Sequence, residues 1–296
     1  MTPLCIARNC DNLARTQTFY EALGFTPQGP AADDPALANV LDATRTRSLH
    51  LTLGAQQLEL TQCFPPGAPY PANARSDDLI FQHIAIVTTN IAEATARARQ
   101  AGATPITQGG PQHLPAASGN VTAWKFRDPD GHPLEFLQFP TTEKWSGPAL
   151  FLGYDHTAIA TANASRAIAY YTNLGFTLAH RHRNQGPEQN QLDALTPATP
   201  EIITLTPQTA PPHLELLAYP PHPNPRPGRP FCHAGWEGEV SKARGAAPGP
   251  RQRPRSSRGL RGQRPLAFLT SPPPRFAKMP AGYRGCRIGV GGWCCV

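Results

Sequence analysis

Glu135 is a lone carboxylate on an apolar face. Between residues 133 and 139, Leu134, Phe136 and Gln138 alternate with Glu135, Leu137 and Phe139, so a strand here sets the acid among Leu and Phe. An ionised carboxylate in such company requires an opposite charge, a wet cavity or a metal ion. The frame occurs three times: QQLELTQ around Glu59, HPLEFLQ around Glu135 and PHLELLA around Glu215. Upstream of each, a short apolar stretch begins with Cys5, His83 or His156. Thiolate, imidazole and carboxylate are the groups that share metals or pass protons, although a histidine and a glutamate at strand ends also form plain ion pairs or solvated edges.

The elements that must position these residues follow a repeat. From Cys5 to Gly24, from His83 to Gly102 and from His156 to Gly175 is 19 residues each time, and from the same starts to Glu59, Glu135 and Glu215 is 54, 52 and 59. Asn12, Asn90 and Asn163 stand as N-caps before helices that reach about Leu23, Ala101 and Leu174, each stopped by its glycine. FYEALGF at 19–25 and YYTNLGF at 170–176 are one heptad in two copies. In the first helix Leu13, Thr16, Phe19, Tyr20 and Leu23 share a face that can lie on a sheet. Strands are expected at 38–41, 48–53, 57–62, 83–87, 121–126 and 212–219. Asp128 to Gly131 is turn chemistry ahead of the strand that carries Glu135. The string RNQGPEQNQLDAL at 183–195 reads as a surface loop in preference to a cleft lining.

Three βαβββ units of about 70 residues result, recognised by their period. The fold class is α+β. Such a unit cannot cover its own sheet, so units should pair, with mixed sheets curving around a shared cleft and helices outside. The expected organisation is a pair in 1–147 (units 1–63 and 83–139), a third unit in 148–222, and a Pro/Arg/Gly-rich disordered tail in 223–296.

The repeated strand, the Tyr-x-x-Leu-Gly-Phe helix end and the closing DPDGHPLEF resemble the vicinal oxygen chelate superfamily, which includes glyoxalase I, bleomycin-resistance proteins and extradiol dioxygenases. The resemblance covers residues 1 to about 220 and implies a divalent metal (Fe, Mn, Ni, Co or Zn) in the cleft of a unit pair. Carried over position by position, the first pair offers Glu59, His83 and Glu135, with Cys5 where the family usually has Gln, His or Glu. A thiolate there would favour zinc; alternatively Cys5 is a small buried side chain and three ligands remain. His156 and Glu215 would form an incomplete second site. His132 lies outside the repeated frame and is read as part of the turn. The function implied is a glyoxalase- or dioxygenase-type reaction on a small molecule with vicinal oxygens, with Glu59 or Glu135 moving the proton. The alternative is a metal-free protein of the same fold that sequesters its ligand. Trp124 and Phe126, or Phe136 and Phe139, would flank a bound ring or belong to the core, the commoner place for such residues.

The formal charge of +7 belongs to one end of the chain. Residues 228–296 carry 13 Lys/Arg against 2 Asp/Glu, and residues 1–227 carry 14 against 18. Nucleic-acid binding is therefore expected only non-specifically and through the tail. The abrupt change after Pro227, where a fourth unit should begin, is read as a wrong-frame translation of that unit in preference to a native disordered segment. Seven scattered cysteines do not read as a disulfide framework. No apolar run approaches a membrane span, and the expected setting is the cytoplasm, with a small-molecule substrate and a homodimer as the partners to consider.

Overall fold

The computed structural model describes residues 5–141, 145, 149–208, 212–221 and 287–290, with backbone alone at Cys5 and 287–290. The first unit comprises β1 (Cys5–Cys10), α1 (Leu13–Ala22), β2 (Thr26–Pro27), β3 (Ala32–Asp33), α2 (Pro35–Val40), β4 (Arg45–Leu53) and β5 (Gln56–Phe64). The second comprises β6 (Gln82–Thr88), α3 (Ile91–Gln100), β7 (Thr104–Pro105), β8 (Gln112–His113), β9 (Thr122–Arg127) and β10 (Pro133–Gln138). The third comprises β11 (Phe151–Ala160), α4 (Ala164–Asn173), β12 (Thr177–Arg183), α5 (Pro187–Asp193), β13 (Glu201–Thr206) and β14 (His213–Ala218). From the basic tail a strand β15 (Arg287–Val290) is described; residues 222–286 and 291–296 lie outside the described residues.

Each long helix starts and stops as its sequence dictates. The Oδ1 atoms of Asn12, Asn90 and Asn163 accept from the backbone N–H three residues on, at 3.0, 3.1 and 2.9 Å. Gly24, Gly102 and Gly175 end them at φ of +84°, +103° and +95°, a conformation costly for any residue with a Cβ. The stretch 38–41, expected as a strand, falls in and just after α2 instead. Asp34 Oδ1 accepts from Leu37 N at 2.9 Å and Pro35 occupies the first turn, so cap chemistry prevails over a short apolar run.

The strands form two sheets, one ordered β15-β1-β5-β4-β2 with β3 on β4, the other β12-β13-β14-β11-β6-β10-β9-β7 with β8 on β9. Strand β6 pairs with β10 in parallel and with β11 antiparallel, so the second and third units share one continuous sheet. This differs from the expected pairing of the first unit with the second. Both edges of β6 are taken within the second sheet, while β1 is flanked by β5 and β15 in the first. One face of the second sheet presents Ile84, Ile86, Trp124, Phe126, Leu134 and Phe136, which join Phe19, Tyr20, Phe25 and Leu51 of the first unit and Ala94 and Ala98 of α3 in a common core. Trp124, Phe126 and Phe136 thus hold the layers together by burial and ring contact; they do not flank a ligand.

A buried polar tie also joins the first unit to the second. The Arg8 guanidinium pairs with Asp128 and donates to Tyr20 Oη, while Asp130 takes Arg15 and Thr16 Oγ1. Asp128 Oδ1 meanwhile accepts from the backbone N–H of Asp130 and of His132, closing the turn before β10. The His132 ring packs at a tilt against Tyr70, centroids 4.8 Å apart, and belongs to this turn. Among the described residues no helix is long and apolar enough to cross a membrane.

Candidate metal centre

The other face of the second sheet carries the chemistry, and register alone determines its layout. In the antiparallel β6/β11 ladder, His83 stands opposite Ala158 and His156 opposite Ala85. In the flanking parallel ladders, Glu135 stands opposite Ala85 and Glu215 opposite Ala158. Two rows cross the sheet: Glu215, Ala158, His83 in one and His156, Ala85, Glu135 in the other. They are related by a local two-fold axis between Ile84 and Thr157. Each row has an alanine in the middle, so the four longer side chains lean over a low floor and converge.

Their donor atoms meet closely. His83 Nε2 lies 3.0 Å from Glu135 Oε2 and 3.3 Å from His156 Nε2. His156 Nε2 lies 3.7 Å from Glu135 Oε2 and 3.5 Å from Glu215 Oε2. Donors bound to one cation at about 2.0–2.2 Å stand roughly 3.0–3.5 Å apart, so His83, His156 and Glu135, whose ligand atoms all lie within 4.8 Å of one another, suit a divalent transition metal, with Glu215 beside His156. Asp155 Oδ2, 3.1 Å from His156 Nδ1, turns the Nε2 of that ring toward the others, and His213 Nε2 reaches Glu215 Oε1 at 3.4 Å.

Electrostatics divide the two histidines. Burial pulls His83 below the ordinary imidazole range despite the attraction of Glu135. Burial acts on His156 in the same sense but is outweighed by Glu215, Asp155 and Glu135, which hold it well above that range. Burial would raise both glutamates; Lys125 and His83 instead hold Glu135 well below the carboxylate range, and His156 with His213 brings Glu215 to about 2. Without metal the cluster is therefore one imidazolium between two carboxylates, with His83 neutral.

These side chains form the end of a cavity of about 340 Å³. Its apolar wall includes Leu114, Val121, Leu137, Phe139, Ile202 and Leu217, and its polar wall includes Lys125, Asn184 and Gln189. Lys125 Nζ donates to Asp193 Oδ1 at 2.6 Å, and the Asp193 field, with that of Glu135, raises its pKa against the effect of burial.

Of the residues singled out in the sequence, His83, Glu135, His156 and Glu215 come together. Glu59 does not: it lies in the first sheet, paired in register with Ala7 and His50, with Thr61 Oγ1 donating to it at 3.3 Å. The side chain of Cys5 lies outside the described residues. The set expected as a first-pair site plus an incomplete second site is thus a single cluster drawn from the second and third units. The segment 183–195, expected as a surface loop, contains α5 and lines the cavity through Asn184, Gln189 and Leu192. Gly186-Pro187, a helix-start signal, was the clue to that helix. Asp155 and His213 were missed; they flank His156 and Glu215 in sequence, and adjacency was their signal.

The chain matches the model of the Glyoxalase/Bleomycin resistance protein/Dioxygenase superfamily over residues 4–136 and 153–265. The matched segments follow chain order, whereas hydrogen bonding joins the second unit to the third. No curated protein matches. Among solved structures, a mutant of glyoxalase I from Zea mays is 17% identical over 73% of this chain and 66% of its own, with a TM-score of 0.49. This chain therefore spans just under two thirds of that protein. Glyoxalase family proteins from Enterococcus faecalis and Bacillus cereus are 26% and 15% identical over 45% and 47% of this chain and 92% and 93% of their own, with TM-scores of 0.33 and 0.38.

Proposed function

This chain belongs to the Glyoxalase/Bleomycin resistance protein/Dioxygenase superfamily, and from that premise we propose that it is a metal-dependent enzyme acting on a small molecule with two adjacent oxygens, by proton transfer of the isomerase or lyase kind. The observation that carries the reading is the convergence of His83, Glu135 and His156, with Glu215 against His156, on the lining of a half-open cavity. A divalent ion held by this cluster would act as a Lewis acid on the paired oxygens and acidify the neighbouring C–H. His83, His156 and Glu135 would hold the ion, and a chelating substrate would complete its coordination. Two histidines and one carboxylate, the set His83, His156 and Glu135, also suit an iron that cleaves rings with dioxygen; proton transfer is preferred here because Glu215 stands beside the cluster as a free base.

The protein's own groups have separate tasks. Glu135 is fixed by His83, His156 and the field of Lys125, so it stays in place as an anchor. The Glu215 side chain is more exposed, at 18% against 6%, and its Oε1 faces His213. Glu215 is thus the group to take the substrate proton at Oε2, with His213 holding its other oxygen.

A second reading, a metal-free binding protein, is favoured by one observation: His156 in its charged form already bridges Glu135 and Glu215, so the cluster is satisfied as an ion pair. Metal analysis of the full chain after reloading separates the two. The enzyme reading expects about one equivalent, lost in Glu135→Ala, and turnover of a 2-oxoaldehyde adduct or a related vicinal-oxygen substrate that Glu215→Gln abolishes with the metal retained. A protein that takes up no metal, yet binds such compounds, would establish the second reading.

A further inference from the structure

Part of the cavity wall is built by helix α5 of the third unit, where the second unit has a single 3-10 turn at Ala116–Ser118 that lines the cavity as well. Helix α5 is held against the second unit by backbone carbonyls: Gln191 O accepts from Gln108 N at 2.9 Å, Leu192 O from Thr107 Oγ1 at 3.1 Å and Asp193 O from Ser76 Oγ at 2.9 Å. The Asp193 carboxylate, itself buried, gathers three donors: Lys125 Nζ at 2.6 Å, Gln189 Nε2 at 2.7 Å and Tyr219 Oη at 2.9 Å. This fixes the orientation of the Gln189 amide. Its NH₂ is committed to Asp193, and its carbonyl oxygen remains.

Gln189 Oε1 has no hydrogen-bond partner among the described residues, and neither has Asn184 Oδ1. Both side chains line the cavity, and the two residues are 2% and 8% exposed. Buried carbonyl oxygens left unpaired are costly, and two on one wall of a ligand-sized hollow are not a packing need. The charges on that wall narrow what could meet them. Lys125 is neutralised by Asp193, and once a metal has displaced the proton of His156 the remaining charged side chains among the described lining residues are the acids Glu135, Asp155 and Glu215. An anionic substrate finds no free cation there beyond the metal.

Resting on the reading above, we infer that Asn184 and Gln189 are specificity-determining acceptors, and that the substrate is a small, uncharged, mainly apolar molecule bearing a hydroxyl or amide N–H in addition to its chelating oxygens. The apolar wall takes the body of the molecule, the four-residue cluster takes the oxygen pair, and the two side-chain carbonyls take the extra donor.

The test uses the cobalt(II)-loaded full chain and three probes, 4-methylcatechol, 4-(hydroxymethyl)catechol and 3,4-dihydroxybenzoate, titrated by the visible cobalt spectrum. The expected order is hydroxymethyl tightest, about tenfold over methyl, and carboxylate weakest. In Gln189→Leu and Asn184→Leu the preference for hydroxymethyl over methyl collapses to within about twofold, while cobalt content and 4-methylcatechol affinity are kept. Asn184→Leu leaves the hydrogen bonds of Asp193 untouched and carries the test even if the Gln189 variant does not fold. Equal binding of the methyl and hydroxymethyl probes, or a preference that survives both substitutions, overturns the inference while leaving the metal reading intact. A chain that takes up no cobalt, or whose cobalt spectrum no probe alters, overturns both.

Discussion

The imidazoles of His83 and His156 face each other across the β6/β11 ladder with their Nε2 atoms 3.3 Å apart, although their environments drive them to opposite charge states. Position makes them equivalents, since each begins the helix-bearing half of its unit. Environment makes them different, since Asp155 and Glu215 surround only His156.

Metal uptake should therefore displace a proton, and from His156. Its folded pKa is raised above the unfolded value of about 6.5, so in the metal-free protein its stabilising charge is fully present below that pH and is lost as pH rises through the folded value. The cation needs the neutral ring, so metal affinity should run the other way, increasing up to about tenfold per pH unit until His156 deprotonates. Calorimetric titration with zinc in buffers of different ionisation heat should report about one proton released per metal. Release of none would show that His156 is neutral or is not a ligand.

Glu59 provides the contrast. Since it stands in the first sheet, Glu59→Gln should leave the metal stoichiometry at the second-sheet cluster unchanged, whereas His83→Ala should weaken binding by more than the roughly 10–100-fold typical of an outer-shell loss. Elemental analysis after gel filtration at fixed free metal decides. Equal losses in the two variants would reinstate a site shared between the first and second units.

Asp128→Ala should be among the most destabilising single changes in the described residues. It leaves the Arg8 guanidinium, 1% exposed, without its main counter-charge, at about 3–5 kcal/mol. Arg8→Met combined with Asp128→Leu should recover most of that loss, because the penalty comes from the uncompensated charge. Urea melts of the three variants and the parent give the comparison.

Gly54 takes φ +57°, and a Cβ there would come within 2.7 Å of the carbonyl oxygen of Leu152 on β11. A backbone atom cannot yield as a side chain can, so Gly54→Ala should cost about 1–3 kcal/mol. A thermal shift near zero would mean that the β4/β5 turn can retreat from β11.

Cys10 is a free, buried thiol, and burial pushes its pKa up to about 12 despite nearby Arg8. It should resist iodoacetamide in the folded protein and react on unfolding, as peptide mass mapping after timed alkylation would show.

The sequence made the units legible because their signals are local. An Asn cap and a left-handed Gly act within one turn of the helices they bound, and the lone glutamates are visible from strand alternation. Pairing is not local. CIA, HIA and HTA stand in β1, β6 and β11 as almost the same three residues, so nothing in the pattern says which two strands should lie side by side. The choice follows from which edges stay open once each unit has formed its own ladders, and it moved the expected site from Glu59 to His156 and Glu215. Helix α5 was hidden for another reason: seven polar-rich residues carry too few apolar positions to show a period, and its packing rests on carbonyls and on Asp193.

The four donors obey a two-fold relation, but the walls beyond them do not, for helix α5 on one side answers to a single 3-10 turn, Ala116–Ser118, on the other. A molecule whose two ends look alike would meet like groups at its oxygens and unlike walls beyond them. It could enter in one sense only, presenting one prochiral face to Glu215. Chirality in the product would then originate in a seven-residue helix, and not in the duplicated frame that binds the cation.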